Sequence, residues 1–123
     1  METNKAYKQK LIKRAYKFSL DTIKLIDSLD KRAFSIQVIA NQLIRSGTSI
    51  GANIVEAQAF SSKKDFTNFI SHSLKSSNET RYWLGLLRDS GKAEIHEVGE
   101  LLQEATELSK ILGSSILSLR GKG

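Results

Sequence analysis

The chain of 123 residues has the size of one domain, with 26% charged residues and a formal net charge of +6, and a domain of this length buries enough surface to need no covalent staple. It contains no cysteine and no proline, which excludes a disulfide framework and a thiolate metal site, fits a reducing cytoplasm and leaves long helices unbroken. No apolar run approaches the ~18 residues of a membrane span, Met1 to Lys10 holds no apolar signal-peptide core, and the basic balance favours a polyanionic partner over an acid-seeking pocket.

The first helix is expected from about Asn4 to Leu29. Tyr7, Leu11, Ala15, Phe18, Leu25 and Leu29 recur at helical spacing and form its core face. Ile12, Tyr16 and Ile23 widen the apolar arc. Lys10, Lys13, Lys17, Lys24 and Lys31 run along the other side, with Arg14 beside them. Residues 1–33 carry nine Lys/Arg against four Asp/Glu, so the basic charge is concentrated here. Asp30, Lys31 and Arg32 form a short polar connection.

The second helix is expected from about Ser35, a plausible N-cap, to Ala59. Ile36, Ile39, Ala40, Leu43, Gly47, Ile50, Ile54 and Ala57 form its core stripe. Gly47 and Gly51 each cost about 1 kcal/mol in a helix relative to Ala, which implies close approach of a neighbouring backbone. Only Arg45 and Glu56 are charged between Phe34 and Phe60. A helix this poor in charge is expected to be buried on more than one side, with Val38, Arg45, Ser49, Ala52 and Glu56 lining the second face.

The third helix opens at Ser62-Lys-Lys-Asp65, a capping-box spacing, and stops at Ser90-Gly91. Its stripe is Phe66, Phe69, Ile70, Ser73, Ser77, Thr80, Leu84 and Leu87, small and hydroxylated in the middle. The fourth helix is expected from about Ala93 to Leu119, with Val98, Leu101, Leu102, Ala105, Leu108, Leu112 and Ile116 inward and Glu97, Glu100, Glu104 and Glu107 on another face. Gly113-Ser-Ser weakens its last turns. Short connections make neighbours antiparallel, so the fold class is all-α, an antiparallel up-down-up-down four-helix bundle. It forms a single domain over residues 1–123, with frayed ends at about 1–4 and 119–123.

One bundle does not hide all of this apolar surface. Self-association through helices 1 and 2 is the simplest reconciliation; a tight bundle with a half-wet second face is the alternative.

The run Arg45-Ser-Gly-Thr-Ser-Ile-Gly-Ala-Asn-Ile-Val-Glu56-Ala57 resembles the central signature of the bacterial four-helix-bundle proteins known as 23S rRNA intervening-sequence proteins or S23 ribosomal proteins. Phe34-Ser-Ile-Gln-Val-Ile-Ala-Asn-Gln-Leu43, Lys64-Asp-Phe66 with Phe69, and Ser73-Leu-Lys-Ser-Ser-Asn-Glu79-Thr-Arg-Tyr-Trp-Leu84 fit the same pattern. The resemblance spans roughly residues 10 to 115 and departs slightly at Val55 and Ala57, where Ala and Gly are common. It implies a fold similar to the accessory variability determinant of diversity-generating retroelements, a pentameric barrel with a basic surface that binds nucleic acid and a reverse transcriptase. It favours a homo-oligomer, a pentamer in particular. Such proteins are often encoded within insertions of the 23S rRNA gene, a genomic position that does not place them in the ribosome.

Among candidate site residues, Arg45 and Glu56 are eleven positions apart, ~16 Å along one helix, and cannot pair with each other. As buried charges they need partners, and Glu79 of the same or a neighbouring subunit is the candidate for Arg45. Ser49 and Asn53 are expected to fix register at a helix–helix contact. His72 and His96 lie on different helices without thiolate or further histidine ligands, so no metal or cofactor is expected. No glycine-rich phosphate loop and no nucleophile–base pair is present, so no enzyme is expected.

Lys10, Lys13, Arg14, Lys17, Lys24 and Lys31 are the best candidates for a nucleic-acid surface, through counterion release. Two alternatives stand beside that reading: a solvated helix face, or pairing with the glutamates of helix 4. The function expected is non-enzymatic binding of RNA or DNA by a homo-oligomer. The rival is a protein-interaction adapter that contacts a nucleic-acid-processing protein. No membrane partner is expected.

Overall fold

A computed structural model describes residues 4–60 and 62–121. Helix α1 spans Asn4–Ser28, α2 Phe34–Ala57, α3 Lys63–Ser90 and α4 Ile95–Gly121. They form the four-helix bundle expected from the periodicity. Consecutive helices pack on one another, and α4 returns to α1 through a looser seam.

The ends of the helices follow local chemistry. Ser62 accepts a hydrogen bond from the Asp65 N–H at 3.3 Å, and Gly91, at φ +70°, ends α3 in the left-handed region. Ser35 is not the N-cap of α2. That position falls to Ala33, whose side chain bonds nothing, while the Ala33 carbonyl accepts from Ile36 and Gln37. The Gln37 side chain also donates to the Lys31 carbonyl at 2.8 Å and ties the connection down. At the start of α4 the Glu94 carboxylate accepts from the Glu97 N–H at 2.9 Å and takes the capping role. Helix α4 runs unbroken through Gly113-Ser-Ser to Gly121. Of the ends expected to fray, 4 and 119–121 are helical, and 1–3, 122 and 123 lie outside the described residues.

The core is the set of stripes read from the sequence, with Phe18, Leu43, Ile50, Ile54, Leu84, Leu87, Leu108 and Leu112 among its fully buried members. Tyr7 is an exception at 46% exposure. It lies in the first turns of α1, at the end of the bundle, where there is no further layer to cover it.

Small residues set the helix spacing. A Cβ built on Gly51 would sit 3.3 Å from the Ala15 Cβ and 3.5 Å from the Ala15 carbonyl group. One on Gly47 would sit 3.0 Å from the Thr22 Cγ2. Gly51 therefore admits the backbone of α1 and Gly47 the Thr22 side chain, the close approach that their cost in a helix implied. Across α2 and α3, the Ser73 hydroxyl donates to the Ile50 carbonyl at 2.8 Å, and Thr80 meets Ser46 at 2.9 Å. Ser77 and Ser109 join α3 to α4 at 2.7 Å. Every one of these hydroxyl-bearing residues is buried, and each bond satisfies a group that would be costly to bury alone.

Candidate nucleic-acid interface

Helix α1 presents Lys10, Lys13, Lys17 and Lys24 outward, all exposed. The same rotation that buries Leu11, Ala15, Phe18 and Leu25 against the other helices turns these ammonium groups to solvent. Lys13 and Lys24 make no ion pair with the described residues. Lys17 Nζ donates to the Asp21 carboxylate at 2.6 Å, one turn along. That bond, with the nearby negative charge, raises the Lys17 pKa. The Lys17 side chain stays 76% exposed, which leaves it open to a phosphate.

Arg14 has a different role from the lysines beside it. Its Nε donates to Glu104 Oε2 at 2.9 Å and its Nη2 to Glu104 Oε1 at 2.7 Å, with Glu107 at 3.8 Å. The hydrogen bonds to Glu104 raise its pKa, against a smaller lowering by desolvation. Arg14 thus realises the expected alternative of pairing with the α4 glutamates. Lys31 is likewise engaged: its Nζ donates to the carbonyls of Ile26 at 2.8 Å and Leu29 at 3.1 Å and closes the C-terminus of α1.

A groove of about 500 Å³ lies between α1 and α4. Phe18, Leu25 and Leu101 line it, with Lys17, Lys24 and Asp21 on the α1 side and Glu97, Glu100 and Glu104 on the α4 side. The carboxylates of α4 therefore bound the lysine stripe along one edge. Along its other edge the apolar side chains Tyr16, Leu20 and Ile23 are exposed, at 67%, 43% and 40%. Periodicity of about 100° per residue places Ile23 and Tyr16 toward the α2 flank of α1 and Leu20 directly away from the core, next to the lysines.

The second face of α2 is open in the single chain. Arg45 and Glu56 are exposed, and Glu79 on α3 is exposed as well. No ion pair joins Arg45 to Glu79 among the described residues. The reason is the packing of α2: it meets α1 through Gly47 and Gly51 and α3 through Ser46 and Ile50, which turns Arg45 outward. Ser49 and Asn53 do not bond across a helix contact within the chain. The Ser49 hydroxyl donates to the Arg45 carbonyl at 2.6 Å, and the Asn53 amide donates to the Ser49 carbonyl at 2.8 Å. Exposed apolar side chains share this face: Phe34 at 76%, Val38 at 41% and Val55 at 54%.

No group of three or more His, Asp and Glu side chains suited to a metal ion occurs among the described residues. His72 meets the edge of the Phe69 ring at 6.5 Å and His96 is exposed at the start of α4. No helix among the described residues is long and apolar enough to cross a membrane.

The sequence offered pairing with the α4 glutamates but not which residues would pair: Arg14 lies at the edge of the stripe, and four glutamates recur on one face of α4. The register between α1 and α4 decides which of them it meets.

A family model described as 23S rRNA-intervening sequence protein matches residues 7–114. A crystal structure from Bacteroides thetaiotaomicron, of a protein with unknown function from the S23 ribosomal protein family, is 35% identical. The match covers 86% of this chain and 97% of that one, at a TM-score of 0.79. No curated protein matches the chain.

Proposed function

Since the chain belongs to the family of 23S rRNA-intervening sequence proteins, we propose that it is a non-enzymatic cytoplasmic homo-oligomer that binds RNA or DNA through Lys10, Lys13, Lys17 and Lys24. The observation that carries this reading is the line of exposed ammonium groups along α1. Among the described residues, Lys17 and Lys24 face the α4 carboxylates across the groove without an ion pair to them, whereas Arg14 is held by Glu104. Arg14 and Lys31 therefore drop to supporting roles. Contacts of this kind read phosphates, so binding is weak, salt-sensitive and largely independent of base sequence.

Self-association is supported by the apolar side chains left open on α1 and α2: Tyr16, Leu20 and Ile23, with Phe34, Val38 and Val55. In this reading Arg45 and Glu56 are charges that a neighbouring subunit covers, and Glu79 of that neighbour pairs with Arg45. Five subunits follow from the family resemblance, and a ring of them repeats the lysine stripe and multiplies its contacts. The likeness to the retroelement determinant belongs to the same reading. The open apolar face also favours a second reading, an adapter that docks on a nucleic-acid-processing protein.

The test is binding of structured RNA, single-stranded RNA and duplex DNA over a salt series, beside the Lys10/Lys13/Lys17/Lys24 quadruple Ala variant. Wild-type binding that weakens steeply with salt and is lost in the variant supports the lysine surface. Equal binding by both proteins, or none by either at about 50 mM salt, overturns it. Lack of binding together with a specific enzyme co-purifying from the native host supports the adapter.

A further inference from the structure

The antiparallel order gathers the start of α1, the end of α2, the start of α3 and the end of α4 at one end of the bundle. Lys5, Lys8, Lys64 and Arg120 lie there, exposed and in no ion pair among the described residues. Among the described residues, Glu56 and Asp65 are the carboxylates of that end. The opposite end is matched: Arg32 is bonded to Asp30 and Arg88 to Asp89. The charge of the bundle is thus polarised along its axis, and the basic end attracts a polyanion.

A groove of about 450 Å³ opens at this same end. Leu11, Ile54 and Ile70 line its apolar depth, with Tyr7 and Phe66 bringing aromatic rings to it and Ser114 and Ser118 adding hydroxyls. Lys8 Nζ stands 5.4 Å from the centre of the Phe66 ring. The groove beside the α1 lysine stripe differs: its one aromatic ring, Phe18, is buried, and Glu97, Glu100 and Glu104 line its other side. A ligand that suits both parts carries an anionic backbone and a flat ring with apolar faces. Bases inside a duplex are stacked on one another and cannot enter a cleft, whereas unpaired bases can.

We propose that this groove takes an unpaired base of a single-stranded nucleic acid, stacked on the exposed Tyr7 ring, with the flanking phosphates on Lys8, Lys64 and Arg120. This rests on the reading of the chain as a nucleic-acid binder and adds a strand preference that phosphate contacts along α1 do not supply.

The experiment measures anisotropy of labelled single-stranded and duplex oligonucleotides of equal length, as RNA and as DNA. The proteins are wild type, Tyr7→Ala, Ser118→Leu (which fills the groove) and the quadruple Lys variant, each checked for an unchanged melting curve. Both groove substitutions are at exposed positions, so the fold does not depend on them. Wild type is expected to favour the single strand about tenfold, the size of one base–aromatic stack. Both groove variants lose that preference and keep the duplex affinity and salt dependence. A 2-aminopurine placed in the single strand is quenched by wild type and not by Tyr7→Ala. Equal affinity of wild type for both strands, or a preference that survives Tyr7→Ala, overturns the groove. If binding then still depends on the α1 lysines, the broader reading stands. A quadruple Lys variant that keeps the strand preference and binds both strands as tightly as wild type instead keeps the groove and overturns the α1 surface. No binding of either strand by wild type overturns both.

Discussion

Arg14 of α1 and Glu104 of α4 hold each other by two hydrogen bonds, 2.9 and 2.7 Å, across the loosest seam of the bundle. Their side chains keep 38% and 29% exposure, so water screens the pair and its net contribution is about 0.5–1 kcal/mol. Glu104→Gln is expected to lower the melting temperature by a few degrees, at about 4 °C per kcal/mol for a domain of this size. The same change removes a carboxylate from the edge of the lysine stripe and releases the Arg14 guanidinium. Nucleic-acid affinity therefore rises, and its salt dependence steepens by about one phosphate contact. Arg14→Ala, in contrast, weakens stability with less effect on binding than Lys13→Ala. Thermal melts and a salt series on the three variants check both halves.

Gly51 and Gly113 are both glycines inside helices, and they are expected to respond in opposite ways. A Cβ at Gly51 meets Ala15 at 3.3 Å, with backbone behind it, and nothing lies within 4 Å of one at Gly113. Gly51→Leu forces α1 off α2 and costs about 1–3 kcal/mol. Gly113→Ala gains roughly 0.5–1 kcal/mol because it removes backbone freedom from the unfolded chain. Urea unfolding of the two variants, with unchanged slopes, measures both signs.

The Ser77 hydroxyl donates to the Leu74 carbonyl at 2.8 Å, so the Ser109 hydroxyl is the donor in the 2.7 Å bond between them. Ser77→Ala removes the acceptor and leaves Ser109, 8% exposed, without that partner. The cost is about 1–3 kcal/mol, the penalty of an unsatisfied buried hydroxyl. Adding Ser109→Ala removes the stranded group, so the double variant loses less than the sum of the two singles. A double-mutant cycle by chemical denaturation reads that coupling.

Much of this architecture is legible in the sequence, and the failures have physical causes. Leu11, Ala15 and Phe18, or Leu101, Ala105, Leu108 and Leu112, repeat at the helical period and are buried as the period requires. Gly47 and Gly51 announce a close contact because nothing else compensates for them in a helix. Arg45 and Glu56 are exposed in the single chain, so the scarcity of charge around them does not mark burial inside the bundle itself. Ser49 and Asn53 satisfy their polar groups on their own helix, so within one chain that face tolerates solvent without charges. Tyr7 matches the core period but lies where the bundle ends. Arg14 shares a helix edge with the lysines, and only the register of α4 against α1 separates it from them.

Val55 tests the proposed assembly. It is 54% exposed on the outward face of α2, so Val55→Glu introduces no buried charge into an isolated chain and leaves its fold intact. If a neighbouring subunit covers that face, the same carboxylate becomes desolvated on association, at a cost of several kcal/mol. Light scattering is expected to show a multiple of the 13.7 kDa chain for wild type and a smaller species for the variant, with matching helical circular dichroism. A wild-type monomer, or a variant of wild-type size, counts against the assembly.

Glu94 carries the pH prediction. Its carboxylate caps α4 by accepting the Glu97 N–H at 2.9 Å, and these backbone hydrogen bonds hold its pKa below the ordinary glutamate value of 4.5. A carboxyl whose pKa is depressed by folding binds its proton more readily when unfolded. Its contribution is therefore present in full above 4.5 and is lost as pH falls through the lower, folded value. The same window governs the first turn of α4, because a protonated Glu94 is a poorer acceptor for the helix N-terminus. Carboxyl-detected NMR titration should place the Glu94 midpoint below those of unbonded glutamates, with amide protection at Glu97 declining over the same range. Glu94→Gln should flatten that dependence, so its stability difference from wild type is largest near neutrality and shrinks in acid. A Glu94 midpoint at the ordinary value, or a difference that grows as pH falls, would remove the cap as its cause.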